Sequence, residues 1–291
     1  MKLIYKNIRG ETLDLLNNEN HFALIGADNL HGVDLEWAEN ESPYADGTDV
    51  DENSVRALPR GIVLTFQLVG DVQESKDLFT SIIKSKQIGY LIETDENGRE
   101  TEIKGIAKVP PYTRLAAACQ IQLELYCGFP YWQDVARIVT EINDVIDLLY
   151  LPDIGRGFPA AGVPFGYINL TREQTIKNDG DTAVGMIIHI IAEGAVSNPR
   201  ISCSTGTQNG WYMELDVDMA QNDEIIINTT KRQKDITYNG ARQIGSDPIM
   251  NLLTIVGDDW LQLEQGDNTF NISASDDTLV YFTLEYKRCF E

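Results

Sequence analysis

Basic residues are scarce in this chain of 291 residues. Lysine and arginine together number 23 against 45 aspartates and glutamates, which gives a net charge of −22. A protein that wraps nucleic acid needs clustered lysine and arginine to neutralise phosphates. The composition therefore excludes that role and indicates a surface that repels DNA.

Cysteine is also rare, and the four cysteines match no zinc or disulfide framework. Cys119 and Cys127 lie eight residues apart on one predicted strand, which separates them by roughly 26 Å and prevents a bond between them. The prediction is four reduced, buried thiols, which include Cys203 and Cys289.

Long apolar runs are absent. No window approaches the roughly 18 apolar residues of a membrane span, so no membrane association is predicted. The N-terminal MKLIYKNIRG lacks the apolar stretch of a signal peptide. We therefore expect folding and assembly in a cytoplasm.

Catalytic signatures are missing as well. The sequence has no phosphate-binding loop, no HExxH and no GxSxG, and the glycines at 155 and 157 do not form a dinucleotide fingerprint. His21 and His31 are predicted loop residues rather than metal ligands, and the acidic stretch 46–52 fails the EF-hand pattern. The sequence thus predicts no catalytic residue, no cofactor and no metal site, and the protein is not expected to be an enzyme.

Four tryptophans are present. Trp211 and Trp260 could stack on sugars in the second half of the chain, but the cores of β-sandwiches also take tryptophan, and the core interpretation is favoured.

Residues 60–127 predict a mostly β domain with one helix. Apolar residues alternate along residues 62–69 and 119–127, as in half-buried strands. A short helix is expected at 75–84, and the turn at 95–98 contains the Asn-Gly signal of a hairpin between strands at 88–94 and 100–109.

Residues 36–60 form a long polar, acidic stretch, predicted to be a loop. A loop of this length is uncommon in a compact domain. We expect it to serve as an arm that reaches a neighbouring copy, or to line a ring.

Residues 133–150 carry apolar residues at helical spacing and predict an amphipathic helix, followed by a linker rich in glycine and proline up to residue 167. The second half predicts many short strands, as in a two-sheet sandwich. The predicted domains are an N-terminal domain at 1–131, a helix and linker at 132–167, and a C-terminal domain at 168–291. Strands are expected at 168–176, 182–193, 199–204, 211–217, 224–229, 235–238, 260–263, 268–274 and 279–286.

Several segments in order resemble the distal tail proteins (Dit-like, phage tail family) of long non-contractile-tailed bacteriophages or prophages. In the first half these are residues 60–71 (RGIVLTFQLVGD), 83–86 (IKSK) and the strand ending at 127–132 (CGFPYW). In the second half they are residues 178–185, 194–201 (GAVSNPRI), 223–229 (DEIIINT) and 260–268 (WLQLEQGDN). Asn222 and Asn228 replace a usual Gly and Asp, and the helical pattern at 133–150 departs from the family.

The resemblance implies a mainly β protein: an α+β N-terminal domain that forms a ring, and a C-terminal galectin-like or jelly-roll sandwich. It implies a baseplate hub in the virion, a homo-hexamer that joins the tail tube protein to the tail-tip protein and to any receptor-binding protein. DNA would pass through the lumen without specific binding, along a wall expected to be acidic.

Two alternatives remain open from the sequence. One is a carbohydrate-binding module for the host cell wall, which would use Trp211 or Trp260. The other is a glycoside hydrolase, because 45 acidic residues make some carboxylate pair inevitable.

Overall fold

The chain divides into two compact units. The computed structural model describes residues 2–17, 21–41, 46–109, 119–142, 172–240, 249–276 and 279–291. Unit 1 comprises Met1–Val135 together with Cys289–Glu291, and unit 2 comprises Ala136–Arg288. The last three residues thus belong with the N-terminal unit, which a two-residue strand without periodicity does not reveal in the sequence.

Unit 1 is built on a nine-stranded antiparallel sheet with the order β2-β1-β7-β8-β9-β6-β3. Strand β10 pairs with β8 and with the C-terminal β23. The strands are β1 Lys2–Asn7, β2 Thr12–Asp14, β3 Phe22–Asp28, β4 Leu35–Glu41, β5 Thr48–Ala57, β6 Arg60–Leu68, β7 Ile88–Thr94, β8 Glu100–Lys108, β9 Gln120–Cys127, β10 Trp132–Asp134 and, after unit 2, β23 Cys289–Phe290.

The core of unit 1 follows the predicted alternation. Every second residue of β6 from Ile62 to Leu68 is buried, and so is every second residue from Cys119 to Cys127. All four cysteines are free and buried. Strict period-two burial of this kind fixes the register, because a shift by one residue would expose the whole apolar set.

One helix, α1 at Val72–Ile82, packs on this sheet. Its N-cap is Asp71, whose side chain accepts the N–H groups of Gln73 and Glu74. The rings of Phe22, Phe66 and Phe79 meet edge to face with centroids 5.5 to 5.7 Å apart, which anchors the helix. The predicted helix at 75–84 therefore exists but begins three residues earlier, at Val72 directly after the cap, and ends two residues earlier, at Ile82.

The predicted loop at 36–60 is wrong for the described residues. Strands β4 and β5 pair antiparallel into a two-stranded hairpin that belongs to no larger sheet. The sequence showed no strand signal because both faces of the hairpin lie in solvent, so no buried face imposed an alternation. We call residues 35–41 and 48–57 the hairpin arm.

The predicted helix at 133–150 is also wrong where the structure describes it. Residues 132–134 and β11, Ile138–Glu141, are strands, while 143–150 and the predicted linker up to 167 lie outside the described residues. Pairing of β11 with β22 overrides the helical spacing of the apolar residues. These residues are β-branched, which favours a strand once a partner strand is available.

Unit 2 contains two five-stranded antiparallel sheets, ordered β11-β22-β13-β18-β19 and β12-β21-β15-β16-β20. Each sheet has one buried face, so the unit is a sandwich. The remaining elements are β12 Glu173–Asn178, β13 Met186–Ala192, β14 Val196–Ser197, β15 Arg200–Cys203, β16 Tyr212–Leu215, β17 Asp218–Met219, β18 Glu224–Asn228, β19 Asp235–Asn239, a 3-10 turn Ile249–Leu252, β20 Leu253–Val256, β21 Gly266–Ser273 and β22 Val280–Tyr286.

The predicted mainly β fold is confirmed. Seven of the nine strands expected in the second half overlap an observed strand over most of their length, and an eighth, at 168–176, overlaps β12 where it is described. The strand expected at 260–263 is instead a loop with one bridge between Val184 and Leu263. There the Gln208 side chain accepts the backbone N–H of Gln262 and donates to its carbonyl, as a strand partner would. The Gln262 side chain donates to the Thr229 carbonyl.

Candidate functional site: exposed surfaces of the two units

The predicted sugar-stacking tryptophans are largely covered. Trp260 is 8% exposed, and the Lys234 ammonium lies 5.7 Å from its ring centroid while pairing with Asp259. The half-buried Trp211 packs against Gly257, where a Cβ would lie 2.3 Å from the indole. Stacking on sugar stays a prediction, and the geometry does not favour it, because Trp260 is buried and Gly257 covers part of the Trp211 indole.

The most exposed tryptophan, Trp37, lies on the hairpin arm. Its side chain is 44% exposed, and its Nε1 donates to Glu39 at 2.6 Å. Val50 lies directly opposite Glu39 on the partner strand. Trp37, Glu39 and Val50 therefore share one face of the arm, and Leu35 and Val55 are exposed on the same hairpin.

The other face of the arm is polar. Glu36 pairs with Arg56, whose Nε and Nη2 donate to one carboxylate oxygen at 2.8 and 2.5 Å. Further along, Asn40 lies opposite Asp49, and Ala38 lies opposite Asp51. The arm is thus an amphipathic two-stranded ribbon whose apolar face no other described element covers.

An isolated hairpin of this kind is marginally stable in water. Large apolar residues grouped on one face of it are typical of a surface that a partner covers. The sequence singled out this segment by its length and charge, but not the apolar face, because the relevant residues are spread over two strands.

A second exposed apolar surface lies on the main sheet of unit 1. Ile88, Ile106 and Tyr126 are 40, 49 and 57% exposed. Ile88 pairs directly with Ile106, and Ile106 pairs directly with Tyr126, so the three side chains form one continuous row across β7, β8 and β9. We call these three residues the apolar row.

Lysines flank the apolar row. Lys104 and Lys108 lie two residues to either side of Ile106 on β8, and both are exposed. Lys108 bonds Glu124 at 2.5 Å, whereas Lys104 forms no ion pair with any residue that the structure describes. Lys86 lies in the turn before β7, near the same end of β8, because its N–H donates to the Ala107 carbonyl. This cluster is unusual in a chain of net charge −22.

Unit 2 carries a titratable cluster on the outer face of one sheet. His189 Nδ1 lies 3.0 Å from Glu224 Oε1, and its Nε2 lies 3.7 Å from Glu285, which also pairs with Arg137. The hydrogen bond from His189 holds the pKa of Glu224 below its ordinary value, with a smaller contribution from Asn239. The two carboxylates approach opposite ring nitrogens, so they cannot share one metal ion with the imidazole.

Arg60 is a deeply buried cation of unit 1, at 3% exposure. Its Nη1 donates to the Leu30 carbonyl, which also accepts the indole N–H of Trp132. Burial lowers the pKa of Arg60 and raises the pKa of the neighbouring Cys127 to about 12. This arrangement holds the 29–34 segment at the base of the arm against the sheet.

Neither a metal centre nor a membrane segment emerges from the part of the chain that the structure covers. Within those residues, no group of three or more histidine, cysteine, aspartate or glutamate side chains is placed to hold a metal. No described helix is long and apolar enough to cross a membrane.

Comparison with known proteins identifies the second unit. Residues 179–288 match the family of siphovirus-type tail components, C-terminal domain. Among solved structures, the chain is similar to the Dit protein (gp 19.1) of phage SPP1, whose structure is described as a paradigm of hub adsorption apparatus in Gram-positive infecting phages. That similarity has a TM-score of 0.65 with 12% identity over 99% of both chains, which shows a shared fold.

A chain of the phage P2 baseplate, in its activated conformation with Ca, matches with a TM-score of 0.42 and 13% identity over 98% of this chain and 97% of that one. This score is too low to support an argument. No curated protein sequence matches the chain. The resemblance predicted from the sequence is confirmed: residues 179–288 match the C-terminal domain family of siphovirus-type tail components, and the chain shares the fold of the Dit protein of phage SPP1.

Proposed function

We propose that this protein is a structural, non-enzymatic hub at the distal end of a phage tail. In this role unit 1 closes a hexameric ring, and the ring joins the tail tube to the tail-tip or baseplate proteins. The match of residues 179–288 to siphovirus tail components supports the tail location. The observation that carries the ring is the hairpin arm, an amphipathic element outside the main sheet whose apolar face no other described element covers.

The arm suits a ring because it provides two different surfaces on each copy. A contact between an arm and some other surface of the next copy is heterologous, and such contacts close into rings when the rotation per copy divides the circle. The chain between β3 and β6 supplies the arm, and β3 is the last strand of the sheet order. The arm therefore begins at a sheet edge, the position from which a neighbour can be reached.

The same proposal assigns a role to the acidic composition. The virion would assemble in the host cytoplasm, and DNA would leave through the lumen of the ring. Phosphates bind clustered lysine and arginine, so a wall of aspartate and glutamate would let DNA pass without being held. The tail tube protein, the tail-tip protein and any receptor-binding protein are the proposed partners.

The test is the mass of the purified full chain in solution, measured by light scattering and native mass spectrometry. We expect a species of six times the chain mass of 32.6 kDa. In the test variant, residues 37–55 are replaced by an Asn-Gly turn, which keeps the directly paired Glu36 and Arg56 as the last rung of the hairpin.

The arm-shortened variant should be a folded monomer with the circular dichroism spectrum of the wild type outside the arm contribution. A variant with Asn97-Gly98 at the β7–β8 turn changed to Gly-Asn serves as a control for altering an exposed hairpin, and it should still form the ring. An unchanged oligomer after shortening the arm would refute the arm's role. A wild-type chain that stays monomeric at its highest attainable concentration would contradict the ring.

A further inference from the structure

We propose that the apolar row of one copy is the docking surface for the hairpin arm of the next copy. This inference rests on the proposed ring and specifies which surface of the neighbour the arm contacts. It follows from two uncovered apolar surfaces on the same unit, one projecting and one flat, that no described element of the chain brings together.

The row has the shape that a two-stranded ribbon needs. Neighbouring strands lie about 4.8 Å apart, so side chains on three strands span about 10 Å, the width over which a two-stranded ribbon makes side-chain contact. On the fourth strand, Gly61 pairs with Tyr126, and an added Cβ at Gly61 would meet nothing within 4 Å. The row therefore ends beside a surface position that has no side chain, and the indole of Trp37 can be accommodated there.

The charges of the two surfaces are complementary. The arm places Glu39 on its apolar face beside Trp37 and carries Asp49 and Asp51 on its other face. The row is flanked by Lys104 and by Lys108, which is paired with Glu124, and Lys86 in the preceding turn bonds the neighbouring Ala107 carbonyl. Docking of the arm on the row would bring acidic residues of one copy to lysines of another. This attraction favours contact between an arm and a row over contact between two acidic arms.

A second copy is the occupant that these features favour. Every copy carries one arm and one apolar row. If each arm covers the row of the next copy, a closed ring leaves no arm and no row exposed to solvent. A different tail protein seated on the row would leave the arm's apolar face still exposed. That occupant is the alternative outcome of the test.

The test uses two full-length single variants, Trp37→Glu in the arm and Ile106→Glu in the row. Both side chains are exposed, so each variant should keep the fold of the wild-type chain, as checked by circular dichroism. Each should lose the ring, with an apparent dissociation constant raised at least roughly tenfold, as for an apolar anchor residue. Gln120→Glu adds the same charge to the same outer face of β9, away from the row, and should keep the ring.

Mixing the two variants gives the sharper result. The Ile106→Glu copy retains a good arm and the Trp37→Glu copy retains a good row, so the mixture should form a dimer of twice 32.6 kDa and nothing larger. A ring that survives Ile106→Glu but is lost with Trp37→Glu would overturn this inference while leaving the proposed ring intact. Loss of tail-tube binding alone in Ile106→Glu would assign the row to that partner instead.

Discussion

The pKa and the exposure of an individual residue in this protein depend more on its surroundings in the fold than on its residue type. Arg60 and Cys127 sit side by side within unit 1, where burial disfavours the charged form of both. Trp37 and Trp260 are the same residue type, yet Trp37 is exposed to solvent on the arm and Trp260 is buried in unit 2. Their sequence neighbourhoods do not distinguish them, because exposure depends on strands that lie far away along the chain.

The buried thiols yield a labelling prediction. Because burial raises the pKa of Cys127 to about 12 and all four cysteines are buried, thiolate is scarce and inaccessible in the native protein. We expect no reaction with a thiol-specific disulfide reagent at neutral pH, and four equivalents on addition of denaturant. Rapid labelling of the native chain would show that one of these cysteines opens to solvent.

Glu224 provides a pH prediction. Its pKa is lowered in the folded state mainly by the hydrogen bond from His189, so it adds stability above the unfolded-state pKa of a glutamate. That contribution is lost as the pH falls through the folded-state pKa. Glu285 also faces His189 and pairs with Arg137, and both of these residues are kept in the variant described next.

The measurement is the carboxyl ¹³C shift of Glu224 against pH in the wild type and in His189→Gln. We expect the titration midpoint to move upward in the variant, towards the ordinary value for glutamate. An unchanged midpoint would mean that Asn239, the other hydrogen-bond donor to this carboxylate, is sufficient.

The helices and strands differ in how far the nearby sequence specifies them. Helix α1 is specified locally by its cap and by apolar spacing, and it lies close to where the sequence predicts it. Strands β6 and β9 are specified by alternation because one face is buried. The hairpin arm and β11 lack such a signal, since the arm buries neither face in the single chain and β11 is a strand only by virtue of β22.

Phe79 carries the attachment of the helix to the sheet. It is fully buried and meets Phe22 and Phe66 edge to face. Phe79→Ala should lower the free energy of unfolding by about 3–5 kcal/mol, measured by urea denaturation. The exposed Ser81→Ala on the same helix should change it by less than about 0.5 kcal/mol. Equal effects in the two variants would show that the aromatic cluster does not anchor the helix.

The whole molecule is dominated by negative charge. A chain of −22 cannot recruit duplex DNA by releasing counterions, because few lysines and arginines are available to replace them. Three lysines of unit 1, Lys86, Lys104 and Lys108, lie near the apolar row, which the proposed ring would cover.

We therefore expect no retention of duplex DNA by the full chain in a gel-shift assay, even at low salt. A variant that carries Asp49→Lys and Asp51→Lys on the arm serves as a comparison for the effect of basic residues on that surface. Binding by the wild-type chain that weakens steeply with added salt would contradict an acidic lumen.

The sequence by itself determined the mainly β character, the buried faces of β6 and β9, the presence of helix α1 and the likeness to distal tail proteins. These follow from local spacing and ordered motifs. Only the tertiary structure decided that residues 35–57 form a hairpin, that residues 138–141 form a strand, that residues 289–291 return to unit 1 and that Ile88, Ile106 and Tyr126 align in one row. The physical reason is that hydrogen-bonded partners of a strand come from elsewhere in the chain, so neither their pairing nor the surfaces they create is encoded in local periodicity.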